Sequence, residues 1–304
     1  MSVKLPLFDL YNPLSKAIVS DLKAALYQFG AFRLVVPETT RHRHDAIIEN
    51  ASLVHLPVIV FAREFFKQPM AGKANITDYS PLRSERVRGR TEIPKESIYF
   101  FHHSAELKYP NGPCSTLYSS VKLFNGFPLS NIESVLTLTS KEWTPVRLHL
   151  LETVSQVLNA NIPLRGTTLL DSVTVGIHHY DSRNLSDHSA HFNPPHMDSG
   201  TFTILFRSHH ENDGLEIADL ETTKRKDSEG VGAEASFIPV PTAGDGIPEV
   251  VVFAGTRLQR ILGRDQVRAC VHRVRGPGLV CCRRPGVQRI SMAMFCAPAP
   301  RSSE

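Results

Sequence analysis

The 304-residue chain has little that would tie it to a disulfide framework, a membrane or a nucleic acid. Its five cysteines, at positions 114, 270, 281, 282 and 296, are odd in number and form no CxxC pair. That argues against a disulfide framework and for a reducing compartment. The opening MSVKLPLFDL has no basic n-region and no long apolar h-region, and APRSSE at the other end is no retention or peroxisomal signal. No apolar run approaches the roughly 20 residues that cross a bilayer. The expectation is a cytoplasmic protein without a membrane partner. A strong charge excess is missing too, since Lys+Arg 34 against Asp+Glu 30 leaves a formal net charge of +4. RHRH at Arg41–His44 and KRK at Lys224–Lys226 are too short for a nucleic-acid stripe and read as solvated surface, so no nucleic-acid partner is expected.

What is present is an ordinary globular balance, 41% hydrophobic and 21% charged, with enough length for a sizeable core. Leu14 to Phe29 has helical spacing and stops at Gly30; Ala31–Val36 reads as a short strand. A further helix is expected over His42–Leu56, a helical piece up to EFFKQP, and an amphipathic helix over Trp143–Leu158. From Lys95 the texture turns to short β-type runs: Lys95–His103, then 172–180, 201–206, 214–217, 249–255, 269–274, 279–282 and 289–295. Short strands parted by Gly, Pro and Asp predict a sandwich or barrel rather than a parallel α/β sheet. Glu221–Gly246 reads as a long surface loop. With no internal repeat and no dividing linker, residues 1–94 are expected to pack as a mostly helical region on a 95–304 catalytic core, in one integrated domain.

Chemistry enters with PPHMDSG. His196 and Asp198 stand two apart, and a strand would send both to one face with Met197 on the other. Two converging ligands suggest a metal. A third ligand should come from another strand, and His272, set among apolar residues in ACVHRV, is a candidate. On position alone a histidine so placed is more often a hydrogen-bonded core residue than a ligand. RISMAMF then places Arg289, Ser291, Ala293 and Phe295 on one strand face, with Ile290, Met292 and Met294 on the other. A buried arginine needs an anion, and its planar fork with a nearby hydroxyl suits a carboxylate. That anion could be a ligand's acid group or an internal Asp or Glu.

The order H-x-D, then H-R-V, then R-x-S-x-x-x-F resembles the Fe(II)/2-oxoglutarate-dependent oxygenases, in the branch of isopenicillin N synthase and the plant flavonoid and gibberellin dioxygenases. LPLFDL, YQFGAFRLV, EFFKQPMAGK, KESIYF and GLEI extend that resemblance over nearly the whole chain. It implies a mainly β fold with flanking helices around a double-stranded β-helix, a jelly-roll, cupin-like barrel. It also implies an Fe(II) facial triad of His196, Asp198 and His272, with 2-oxoglutarate and dioxygen as co-substrates. Arg289, Ser291 and Tyr180 would hold the far carboxylate of 2-oxoglutarate, which is decarboxylated to succinate as an iron(IV)-oxo species abstracts hydrogen from the substrate. Retention of Asp198 speaks against halogenation. A small organic substrate of specialised metabolism is expected, undergoing hydroxylation, desaturation or ring rearrangement. Its pocket would draw on Phe295, Phe100, Arg90 and Arg207.

His178 and Asp181 replace an asparagine and a proline common in the family, and His178 could bind co-substrate or simply pack. The segment Asp181–Pro195, or a neighbouring subunit, is expected to cover the site in place of a C-terminal helix. The alternatives are an oxidase of the isopenicillin N synthase type that uses no 2-oxoglutarate, a His2Asp zinc hydrolase, or a jelly-roll binding protein.

Overall fold

Helical spacing at the start of the chain folds as expected. Strand β1 (Leu7–Phe8) leads into helix α1 (Lys16–Gln28), capped by the Ser15 hydroxyl, which accepts from the Ile18 amide at 3.2 Å. Gly30, at φ 64°, turns the chain directly into β2 (Ala31–Val35). The structure is a computed structural model. It describes residues 4–38, 62, 65–67, 69, 73, 79–81, 86–87, 91–92, 95–103, 143–160, 172–181, 191–207, 214–221, 236–241, 248–276 and 288–297. The elements that follow are β3 (Tyr79–Ser80), β4 (Arg86–Val87), β5 (Thr91–Glu92), β6 (Lys95–His103), α2 (Thr144–Val157), β7 (Ser172–Asp181), β8 (His191–His196) and β9 (Phe202–Arg207). After them come β10 (Leu215–Asp219), β11 (Ser236–Pro239), β12 (Glu249–Ala254), α3 (Thr256–Leu262), β13 (His272–Arg275) and β14 (Gln288–Ala297).

Two sheets carry the site. The larger runs β1-β2-β12-β9-β14-β7-β6-β3, and the smaller β11-β10-β13-β8. The sequence-distant neighbours β12-β9-β14-β7 are antiparallel and give the mixed order of a double-stranded β-helix. Among the described residues the two sheets do not close into one continuous barrel. Strand alternation splits the core in two. Ile204, Phe206, Val250, Val252, Met292 and Met294 pack outward against α1 and α2, through Leu22, Leu26, Val146, Leu150 and Val154. Leu205, Val251, Phe253 and Ala293 face inward against Leu215 and Ile217 of the smaller sheet. β14 therefore splits by parity as its sequence predicts, with Arg289 and Ser291 on the inner face.

Several expectations need correction. Of the segment expected to cover the site, Asp181 belongs to β7 and His191–Pro195 to β8, paired with β13, while residues 182–190 lie outside the described residues. Within the expected loop Glu221–Gly246, Ser236–Pro239 forms β11 on β10. The strand expected over 269–274 starts only at His272, and helix α3 was not foreseen. The expected helix His42–Leu56 and strand 279–282 lie outside the described residues. β2 sits inside the larger sheet, paired with β12, so the first 94 residues contribute strands as well as a helix to the core.

Candidate metal centre

His196 is the last residue of β8, and Asp198 lies beyond it in the turn toward β9. Strand alternation therefore does not aim the two together; the turn does. The Asp198 carbonyl accepts from the Thr256 amide at 2.8 Å and the Thr201 carbonyl from the Gly255 amide at 3.0 Å. Thr203 on β9 then donates its hydroxyl to Asp198 Oδ2 at 2.6 Å. Met197, between the two polar residues, faces outward and is 42% exposed. His272 opens β13 as the register partner of His196. Each histidine sets its Nε2 3.9 Å from an oxygen of Asp198, and the imidazole centroids are 4.2 Å apart. One ligand atom from each of the three residues lies within 4.8 Å of the others.

The tautomers suit a cation. His196 Nδ1 lies 2.9 Å from the Pro194 carbonyl and His272 Nδ1 3.4 Å from the Cys270 carbonyl. A carbonyl can only accept, so each Nδ1 carries a hydrogen, and in the neutral ring it is Nε2 that keeps the lone pair, toward Asp198. Burial first, then the neighbouring His272, lowers the His196 pKa to about 4 against the opposing pull of Asp198. The imidazole is thus neutral near pH 7, as a ligand must be. Phe253 stacks on His272 with centroids 4.4 Å apart. Two imidazoles and one carboxylate, desolvated and preset, are a donor set that fits Fe(II).

The same cavity, about 420 Å³ of open space, reaches a polar end. Lys95, Tyr180 and Arg289 lie side by side across β6, β7 and β14, and Ser97, His178 and Ser291 form the next row. Arg289 donates to the Ser291 hydroxyl at 3.1 Å and lies over the Tyr180 ring at 4.9 Å. His178 Nδ1 meets Ser97 Oγ at 2.9 Å and Lys95 Nζ at 3.5 Å. Burial, then Lys95 and Arg289, lowers its pKa well below the usual range. A neutral imidazole thus sits beside the row that carries two buried cations.

No protein-family model and no curated protein matches the sequence. Solved structures do match. A 2OG-Fe(II) oxygenase family protein from Caulobacter crescentus superposes at a TM-score of 0.66 with 20% identity, covering 98% of this chain and 88% of that one. The fold is that of the 2OG-Fe(II) oxygenases. A full-length Neurospora crassa protein solved in complex with alpha-KG follows at 0.63 with 17% identity, covering 98% and 86%. The rice dioxygenase for auxin oxidation follows at 0.62 with 18% identity, covering 98% and 84%. The likeness is to the oxygenase fold as a whole and does not single out the isopenicillin N synthase branch.

On this oxygenase fold the sequence-derived residues part company. His196, Asp198, His272, Arg289, Ser291, Tyr180 and Phe295 all line the one cavity. Arg207 does not line it: its guanidinium donates to the Val240 and Pro241 carbonyls at 3.0 and 2.9 Å. A β9 arginine thereby ties down the segment just after β11 rather than a substrate. Phe100 pairs with Val175 on β7, its side chain lying outside the described residues, and Arg90 lies outside them altogether. Sequence reasoning missed Lys95, Thr203 and Asn193, which line the cavity too. Parity along KESIYFF would have placed Lys95 on the face of Tyr99. Asn193 carried no such signal, because its segment read as a loop.

Proposed function

We propose that this chain is an Fe(II)- and 2-oxoglutarate-dependent oxygenase that oxidises a small organic molecule. The observation that carries the reading is the pairing, in one cavity, of a His2Asp set with a buried Arg-x-Ser pair. His196 and His272 would hold the metal through Nε2 and Asp198 through a carboxylate oxygen, which leaves half of an octahedral shell open. When bound, the metal and 2-oxoacid supply dioxygen activation for C–H oxidation, with succinate and carbon dioxide as by-products. Arg289 and Ser291 would pair with the far carboxylate, and the Tyr180 hydroxyl would add a hydrogen bond. Leu205, Ala293 and Phe295 form the apolar wall that seats a substrate and keeps water from the reacting carbon.

The neighbours support a small-molecule substrate: the Neurospora crassa protein has been solved with thymine, and JOX2 with 2OG, Fe and JA. Specialised metabolism, through hydroxylation, desaturation or ring rearrangement, is the setting we favour. A zinc hydrolase has little use for a buried Arg289 and Ser291.

The test is an anaerobic titration with Fe(II), then 2-oxoglutarate, recording the visible spectrum. A weak charge-transfer band that needs both is expected, and it should vanish in His196→Ala, Asp198→Ala and His272→Ala. Iron binding without a band would favour an oxidase that needs no 2-oxoglutarate. Failure to bind iron while binding zinc would sink the oxygenase reading.

A further inference from the structure

Asn193 stands beside the metal group with half of its carboxamide unused. It is 7% exposed and lines the same cavity. Its Oδ1 is buried and has no hydrogen-bond partner among the described residues. Its Nδ2 lies 3.4 Å from His196 Nε2. That is the nitrogen a metal would take, since Nδ1 already faces the Pro194 carbonyl. With the lone pair of Nε2 on a metal, the Nδ2–H donor of the carboxamide is open to a ligand. A 2-oxoacid presents only acceptor oxygens at its metal-binding end, so Nδ2–H, and not Oδ1, is the group it can engage.

The placement comes from the backbone. His196 pairs with His272 and Asn193 with Val274, so three steps along β8 match two along β13. The extra residue is a bulge at Pro194–Pro195, where no amide hydrogen is available for the ladder. β8 is an edge strand of the smaller sheet, which is where such prolines are tolerated. On a regular strand, residues three apart face opposite sides; across this bulge both Asn193 and His196 reach the cavity.

Asn193 also lies toward the arginine end. Val274, its register partner, clusters with Tyr180 and Phe192, and Tyr180 carries Arg289 on its ring. A 2-oxodiacid held by Arg289 at one end and by the metal at the other would span the cavity that Asn193 lines. We infer that the Asn193 carboxamide hydrogen-bonds the metal-binding end of the 2-oxoacid, Nδ2–H donating to its carboxylate or keto oxygen. This rests on the oxygenase reading of the site, and it adds a co-substrate contact from β8 to those from β7 and β14.

The experiment titrates anaerobic Fe(II)-loaded protein with 2-oxoglutarate, following the charge-transfer band, and measures Fe(II) affinity separately by chelator competition. Asn193→Ala is expected to weaken 2-oxoglutarate about tenfold, the scale of a hydrogen bond to a charged group. Asn193→Asp keeps the shape but opposes a carboxylate with a charge, so its loss should be larger. Fe(II) affinity of Asn193→Ala should stay close to wild type. Unchanged 2-oxoglutarate affinity in both variants overturns the inference. A parallel loss of Fe(II) affinity in the alanine variant also overturns it, because Asn193 would then merely brace His196. If Asn193→Ala does not fold, Asn193→Ser takes its place beside the aspartate variant. A wild-type protein that takes iron but never 2-oxoglutarate overturns the oxygenase reading as well, whereas the variants alone overturn only this one.

Discussion

At the scale of single residues, the site works by presetting protonation. His196 and His178 are both held neutral by burial, and the cations around His178 add to the effect. Their folded pKa values lie below the unfolded value of about 6.5. The unfolded chain therefore binds more protons between the two values, and stability rises with pH across that window. The contribution is full above about pH 6.5 and is lost as pH falls toward about 4 for His196. Metal-free protein should lose thermal stability over this range, and His178→Gln should flatten the slope; an unchanged slope in that variant would count against a neutral His178. Arg289 is read by a different measurement. Arg289→Ala should weaken 2-oxoglutarate binding by tenfold or more, the order expected for a charge-assisted bond. Arg289→Lys should recover only part, because an ammonium lacks the fork. Full 2-oxoglutarate affinity in the alanine variant would remove Arg289 from its role.

At the scale of elements, the ligands are held by turns and edges rather than by strand interiors. The turn bearing Asp198 is pinned from β12's end, where Gly255 and Thr256 donate to Thr201 and Asp198. A Cβ on Gly255 would run into the Gly200 carbonyl and come within 3.2 Å of the Asp198 carbonyl. Gly255→Ala should therefore displace Asp198, destabilise the fold by about 1–3 kcal/mol, and weaken Fe(II) binding in the same variant. Retained iron affinity at lowered stability would show that Asp198 does not depend on this contact. β8 makes the related point. Its Pro194–Pro195 bulge is why a stretch that reads as irregular supplies both His196 and Asn193 to the site.

At the scale of the whole molecule, three layers meet: helices α1 and α2, the larger sheet, and the smaller sheet that closes over the cavity. The candidate metal group draws on β8, the turn after it, and β13, so a bound ion would link segments 74 residues apart. Whatever binds the native state alone stabilises it, by about 2.7 kcal/mol at a hundredfold excess over the dissociation constant. Fe(II) or Mn(II) should raise the thermal midpoint and EDTA reverse the rise, with 2-oxoglutarate adding a further increment only when metal is present. An increment from 2-oxoglutarate without metal would place its binding elsewhere.

Sequence alone determined what local patterning controls: the helical course of α1, the full length of β6 and the inward parity of Arg289 and Ser291, with the candidate trio His196, Asp198 and His272 completed by the family resemblance. Those rest on 3.6- and 2-residue periods and on the high cost of burying His, Asp and Arg without a purpose, which are legible in a linear string. Tertiary structure decided the rest. That Asp198 is aimed by a turn, that β8 exists at all, that Lys95 lies in register with Arg289 through Tyr180, and that Arg207 serves two carbonyls are all outcomes of strand pairing across distant segments. Register between such segments is set by packing and bulges, for which a single chain read in order carries no period.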